Sequence, residues 1–260
     1  MDFSLLHIFS PANILVFMAV FVRISGMIAS APLYSTYPIP TRVKIFLVAI
    51  IAFILFPMVQ ARTHFPVPND IPVYAVILIK EFAIGYIIGF CANLVFIAAE
   101  LGVNMFSIQM GLAMSQAFNP AVGTTSPIIT QAFTLLLTMV FVSLNAHQWL
   151  FSAVYSSFIH VPVGYSFIFD GHLVEKVLYL SGQMFVIAIG LAMPIFSVLL
   201  ISDILLGFVS KLMPQMNIFM VGMPVRIYVG LILCMIFMRP IAEYSSVVLE
   251  RLLIDVSRLF

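Results

Sequence analysis

The chain has 260 residues, of which 11 are Lys or Arg and 10 are Asp or Glu, so 8% is charged while 63% is hydrophobic and the mean hydropathy is +1.19. A soluble fold cannot hide that much apolar surface from water, which excludes a cytosolic globular enzyme, a disordered chain and a disulfide-stapled secreted domain, and leaves an all-α polytopic membrane protein. The net charge of +1 comes without any basic block, so nucleic acid is excluded as a partner, and the continuous apolar runs do not alternate as β-barrel strands do.

In chain order, six hydrophobic segments are each near the roughly 20 residues that a helix needs to cross a bilayer. Phe3 to Val22 carries no charge and leads through Arg23 to about Ala31, and its retention as a span is expected because no basic n-region or clean cleavage site accompanies it. Pro32 to Pro40 holds three prolines and cannot be one continuous helix. Ile45 to Ala61 is the second segment, and Arg62 to Pro72 is a second Pro-rich link. The third runs from Val73 to Ala99 through Lys80 and Glu81. Adjacent residues on a helix point about 100° apart, so these two charges are expected to reach different neighbours.

From Leu101 to Phe169 there is no Asp, Glu, Lys or Arg for 69 residues, and this run contains the fourth segment, Ile128 to Leu150, with a weaker stretch up to Val161. The run also contains a loop. Met110 to Pro127 is polar, small and Gly/Pro-punctuated, and irregular backbone at membrane depth is tolerated only where protein buries it or where it lines a wet cavity. An ordinary solvent loop usually carries charge, so Gly111 to Pro127 is expected to be a pore plug or re-entrant element. Phe118, Asn119 and Pro120 then lie near its tip, Gly123 lies within it, and Met110 and Met114 supply flexible seal atoms.

Val177 to Ser202 is the fifth segment, and Ile218 to Met238, interrupted by Pro224 and Arg226, is the sixth. Pro214 to Pro224, with Gln215, Met216, Asn217 and Gly222, is expected to break the chain between two hairpin helices. Met213, Met216, Met220 and Met223 are spaced as one short helical stripe. Arg239 to Phe260 mixes both signs of charge with apolar residues and reads as a separate amphipathic helix. With six spans, five basic residues fall on the terminal side and four on the other, so charge does not decide the orientation. No internal repeat is visible, and residues 1–260 read as one domain.

Catalytic chemistry is not visible. There is no P-loop, no HExxH and no nucleophile paired with a base, and Cys91 and Cys234 lie far apart in apolar segments, so neither an enzyme, a metal site nor a cofactor is expected. Charges inside apolar segments are costly and want a partner or a wet cavity; Arg23, Lys80, Glu81, Glu100, Asp203 and Arg226 are the candidates, with structural pairing favoured over an ion pathway. Gly85 and Gly89 form a GxxxG, and Gly26 pairs with Ser30 in the same spacing. Such faces permit close helix contact within the chain or with another subunit, and we assign Gly26, Gly85 and Gly89 to subunit packing.

Four longer motifs add a resemblance that covers nearly the whole chain: RISGMIASAPLYSTYPIPTRVKIFL (Arg23 to Leu47), IQMGLAMSQAFNPAVGTTSPIITQAF (Ile108 to Phe133), SFIHVPVG (Ser157 to Gly164) and PQMNIFMVGMPVRI (Pro214 to Ile227). The sequence resembles the FliR family of flagellar type III export-apparatus proteins and, more distantly, the counterparts in virulence type III secretion. Asn119 stands where that family often has Asp. The resemblance implies a non-enzymatic channel subunit of the inner membrane and flagellar basal body. It implies one copy assembled with FliP and FliQ into an export gate, docking of FlhB, and passage of unfolded flagellar proteins. Residues 1–170 would be FliP-like in shape and carry the plug, residues 171–260 would be a FliQ-like hairpin, and Pro214 to Pro224 would face the cytoplasmic entrance. Membrane lipid would cover only part of the apolar surface. The alternatives are an injectisome subunit of the same kind, or a stand-alone ion-coupled transporter using Asp203, Arg226 and Glu100.

Overall fold

The computed structural model describes residues 10–61, 70–112, 127–164, 171–213, 215 and 218–257, and among these the chain forms eight helices. They are α1 (Pro11–Ser30), α2 (Pro32–Thr36), α3 (Thr41–Gln60), α4 (Ile71–Gln109), α5 (Ile128–Ser143), α6 (Ala146–His160), α7 (Gly171–Leu212) and α8 (Ile218–Ser257). The all-α membrane class is therefore met. Five helices are long and apolar enough to cross a bilayer, and the number reaches six when α5 and α6 count as one broken span.

Local chemistry sets most boundaries. Ser10 caps α1 by accepting from Asn13 N at 3.3 Å, with Pro11 in the first turn. Pro32 forces Ala31 into extended backbone (φ −67°, ψ 140°) and ends α1; Pro38 does the same to Tyr37 and ends α2. The link Pro32 to Pro40 is thus broken as expected, with one short helix inside it. Asn145 adopts a left-handed φ of 53° and interrupts the segment read as one span from Ile128 to Leu150. Asn tolerates that conformation better than a β-branched residue.

The helices outrun the expected segments. α7 begins before Val177 and continues past Ser202, α8 passes through Pro224 and Pro240, and the stretch from Arg239 onward is helical to Ser257 as expected but continuous with the sixth segment. Pro224 and Gly222 therefore lie inside a helix, and any break is confined between Leu212, the end of α7, and Ile218, the start of α8. Among its residues Gln215 is an exposed turn, while Pro214, Met216 and Asn217 lie outside the described residues. The methionine stripe is likewise divided: Met213 follows the end of α7, whereas Met220 and Met223 belong to α8. A proline in a helix interior removes one hydrogen bond, but unwinding an apolar helix would strand several backbone groups, so the helix continues.

The chain divides into two compact units. The first holds residues 1–94, 145–180 and 250–260, and the second holds residues 95–144 and 181–249. This division does not fall at residue 170: α4, α7 and α8 each contribute residues to both units.

In the first unit α1 buries Val16, Val20, Ile24, Met27 and Ile28, the i, i+4 spacing of one helical face. Phe17 meets Phe56 of α3 edge-on at 5.9 Å, and Tyr74 Oη of α4 donates to Leu15 O at 2.9 Å. In the second unit Phe96 and Phe106 of α4 meet Phe141 and Phe133 of α5 edge-on at 5.7 and 5.9 Å, so these helices are antiparallel. α7 and α8 are antiparallel too, since Asp203 meets Arg226 while a Cβ at Gly190 would lie 3.0 Å from Tyr244 Oη.

Candidate functional site

The four sequence motifs meet in pairs. Arg23 of the first motif touches Ser157, Phe158 and Val161 of the third, within the first unit. Gly111 of the second faces Met223 of the fourth, within the second unit.

The first meeting is a saturated node. Arg23 is 0% exposed and Glu81 3%. Nε donates to Glu81 Oε2 at 2.5 Å, Nη1 to Ser157 Oγ at 3.0 Å and Nη2 to the Val161 carbonyl at 3.0 Å, while the guanidinium carbon lies 3.9 Å from the Phe158 ring centroid. Ser157 Oγ in turn donates to Val154 O at 2.7 Å. A buried ion pair is tolerable only when its remaining donors are also satisfied, and here both guanidinium ends are. Structural pairing was expected for Arg23 and Glu81, and this is its form. Lys80, next to Glu81, is half-buried on a different face.

Small residues make the node possible. α1 and α4 run parallel at such close range that a Cβ on Gly85 would overlap the Arg23 carbonyl, one on Gly26 the Phe82 carbonyl, and one on Gly89 the Ser30 hydroxyl. Ser30 Oγ also donates to Tyr86 O at 2.9 Å. The glycines assigned to subunit packing are thus occupied by a helix crossing within the chain. Spacing alone could not separate these two uses.

The second meeting surrounds the end of α4. Gly111 takes a left-handed φ of 82°, its N–H bonds Ile108 O at 2.9 Å and the Leu112 N–H bonds Ser107 O at 3.2 Å, the two bonds of a Schellman ending. Met110 is fully buried, and a Cβ on Gly230 of α8 would come within 2.5 to 2.6 Å of its Cε, Cγ and Sδ. Gln109 Nε2 donates to Asp203 Oδ2 of α7, and Arg226 Nε of α8 lies 2.5 Å from Asp203 Oδ1. That N–H is not aimed at the oxygen, so charge rather than a hydrogen bond holds the contact. The side chains are 38% and 21% exposed for Arg226 and Asp203. Ser107 Oγ, one turn back, is buried without a hydrogen-bond partner among the described residues.

Of the expected plug residues, Met110 and Gly111 form this helix end, and Pro127 is the N-cap of α5. Met114, Phe118, Asn119, Pro120 and Gly123 lie outside the described residues. Charge in an apolar segment marks Asp203 and Arg226, but it does not mark Gln109, which is neutral, nor Gly230, which is the seat of Met110. The position of Gln109, directly before Met110 and Gly111, was its one available signal. Glu100 is exposed and pairs with neither Asp203 nor Arg226 among the described residues.

Comparison with known proteins gives a consistent result. A family model described as bacterial export proteins, family 1, matches residues 14–252. The flagellar biosynthetic protein FliR of Pectobacterium carotovorum is 29% identical over 243 residues, covering 91% of this chain and 90% of that protein. The proteins of the same name from Bacillus subtilis and Escherichia coli are 28% and 27% identical. They cover 85% and 86% of this chain, and 85% of each relative.

Proposed function

Because the chain belongs to family 1 of the bacterial export proteins, a flagellar-biosynthesis group of membrane proteins, we propose that it is the FliR-type subunit of a flagellar type III export gate. In this reading it sits in the cytoplasmic membrane at the flagellar basal body, in one copy, with FliP and FliQ around it and FlhB on the cytoplasmic side. The gate passes unfolded flagellar subunits. Residues 1–170 take a FliP-like role and residues 171–260 a FliQ-like one, the link between α7 and α8 lies near the entrance, and the uncharged segment after Met110 closes the channel.

One observation carries the assembly reading. At 1.5 Å per residue α4, α7 and α8, with 39, 42 and 40 residues, are about 58, 63 and 60 Å long, twice the ~30 Å hydrocarbon core. Along α7 exposed apolar residues extend from Val174 to Leu212, about 57 Å of helix. Lipid covers at most about half of that length, so the rest favours protein partners over a stand-alone carrier. The separation of Glu100 from the Asp203–Arg226 pair also counts against those three acting together as a coupling site.

Affinity purification in mild detergent tests the assembly reading. FliP and FliQ are expected to accompany the chain, and ion-coupled transport by the chain alone in liposomes would overturn it. For the closure role, deleting residues 117–125 is expected to leave the complex intact and let small ions leak. Unchanged permeability with normal export would falsify the plug assignment.

A further inference from the structure

We infer that Gln109, Asp203 and Arg226 are positioning residues of the gate, a charged latch that seats the end of α4 on the α7–α8 hairpin. The inference rests on the export-gate reading and adds to it the element that sets where the uncharged segment leaves the fold.

The geometry is specific. Asp203 is shared: one carboxylate oxygen accepts from the Gln109 amide and the other contacts Arg226, so a single side chain joins three helices. The contact lies at the last residue of α4, and the next two residues are the buried Met110 and the left-handed Gly111 that ends the helix. Met110 seats on Gly230, one helical turn beyond Arg226 on α8. Moving Asp203 or Arg226 therefore moves the seat of Met110.

The latch is paired less completely than the Arg23 node. Its side chains are partly exposed on the surface of this chain, unlike the enclosed Arg23–Glu81 pair, although the contacting atoms Asp203 Oδ1 and Arg226 Nε are themselves buried. The ion pair is misaligned and Ser107 Oγ has no hydrogen-bond partner among the described residues, so docking gains less than complete pairing would give.

Cross-linking separates the latch from the closure reading. In the complete export apparatus, with Cys91 and Cys234 replaced by Ala, Met110→Cys and Gly230→Cys report whether the end of α4 is seated. Asp203→Asn is expected to lower disulfide yield about fivefold, in line with loss of a partly exposed pair. The exchanged pair Asp203→Arg with Arg226→Asp is expected to restore it, which a merely disturbed fold would not do. Arg239→Gln breaks an exposed pair with Glu243 on the same helix and is expected to leave the yield unchanged. A yield unaffected by Asp203→Asn, or one that the exchange does not restore, overturns the latch. Ion permeability is read on the same membranes: a lost cross-link with a new leak supports both readings. A lost cross-link without a leak leaves the latch standing and overturns the closure role.

Discussion

Arg23 and Arg226 pose the same problem, a guanidinium in an apolar chain, and the two units solve it differently. Around Arg23 the fold closes completely: Glu81, Ser157, Val161 and Phe158 leave no guanidinium end without a contact, and water is excluded. Around Arg226 the pairing is partial and misaligned, and the side chains are not fully enclosed by this chain. Burial makes the first arrangement irreversible on the scale of function, because separating it would strand a charge. Incomplete pairing makes the second easier to exchange. A cation in an apolar sequence thus signals fixation or motion according to what surrounds it, and residue type alone does not say which.

The contrast gives ordered expectations. The largest effect falls on the saturated node. Arg23→Ala leaves Glu81 buried and unpaired and is expected to destabilise the chain by about 3–5 kcal/mol, read as a lowered Tm of the detergent-solubilised complex. Replacing both partners together, Arg23→Met with Glu81→Leu, is expected to recover most of that loss. If the double variant is as unstable as the single one, the node's value lies in its specific hydrogen bonds and the comparison sharpens. Next, Gly230→Ala drives a methyl into Met110 and is expected to cost about 1–3 kcal/mol while reducing the seating of α4. Asp203→Asn follows at no more than about 1 kcal/mol in Tm-derived stability, despite its expected effect on the cross-link. A loss as large as that of Arg23→Ala would erase the distinction between the nodes. The smallest is Thr130→Val, which removes the bond from Thr130 Oγ1 to Asn104 Oδ1 at 2.8 Å. It is expected to cost about 0.6 kcal/mol, typical of hydrogen bonds between membrane helices.

The helical class and the apolar segments were legible in the sequence, because an uninterrupted apolar run of about 20 residues matches the thickness of a bilayer core. The ends of α7 and α8 were not, because proline and charge in a sequence look like helix terminators. In a helix whose alternatives are worse, neither terminates. The close contact at Gly26, Gly85 and Gly89 was visible as a spacing, but its partner was not, since a small residue records only that something comes near. Gln109 escaped notice for the reverse reason: its importance comes wholly from Asp203, nearly a hundred residues away in sequence. The residues fixing Arg23 were similarly distant, in a motif whose only sequence mark was family resemblance.

The interleaving of the two units has a consequence for synthesis. The first unit includes residues 250–260, and Leu252, Leu253 and Val256 at the end of α8 are buried. A chain made from its N-terminus inserts α1 and α4 long before those residues exist. The first unit therefore waits, unfinished, until Leu252, Leu253 and Val256 have been made, and its early helices must persist in the meantime without them. Completion of the first unit thus depends on the synthesis of the end of α8.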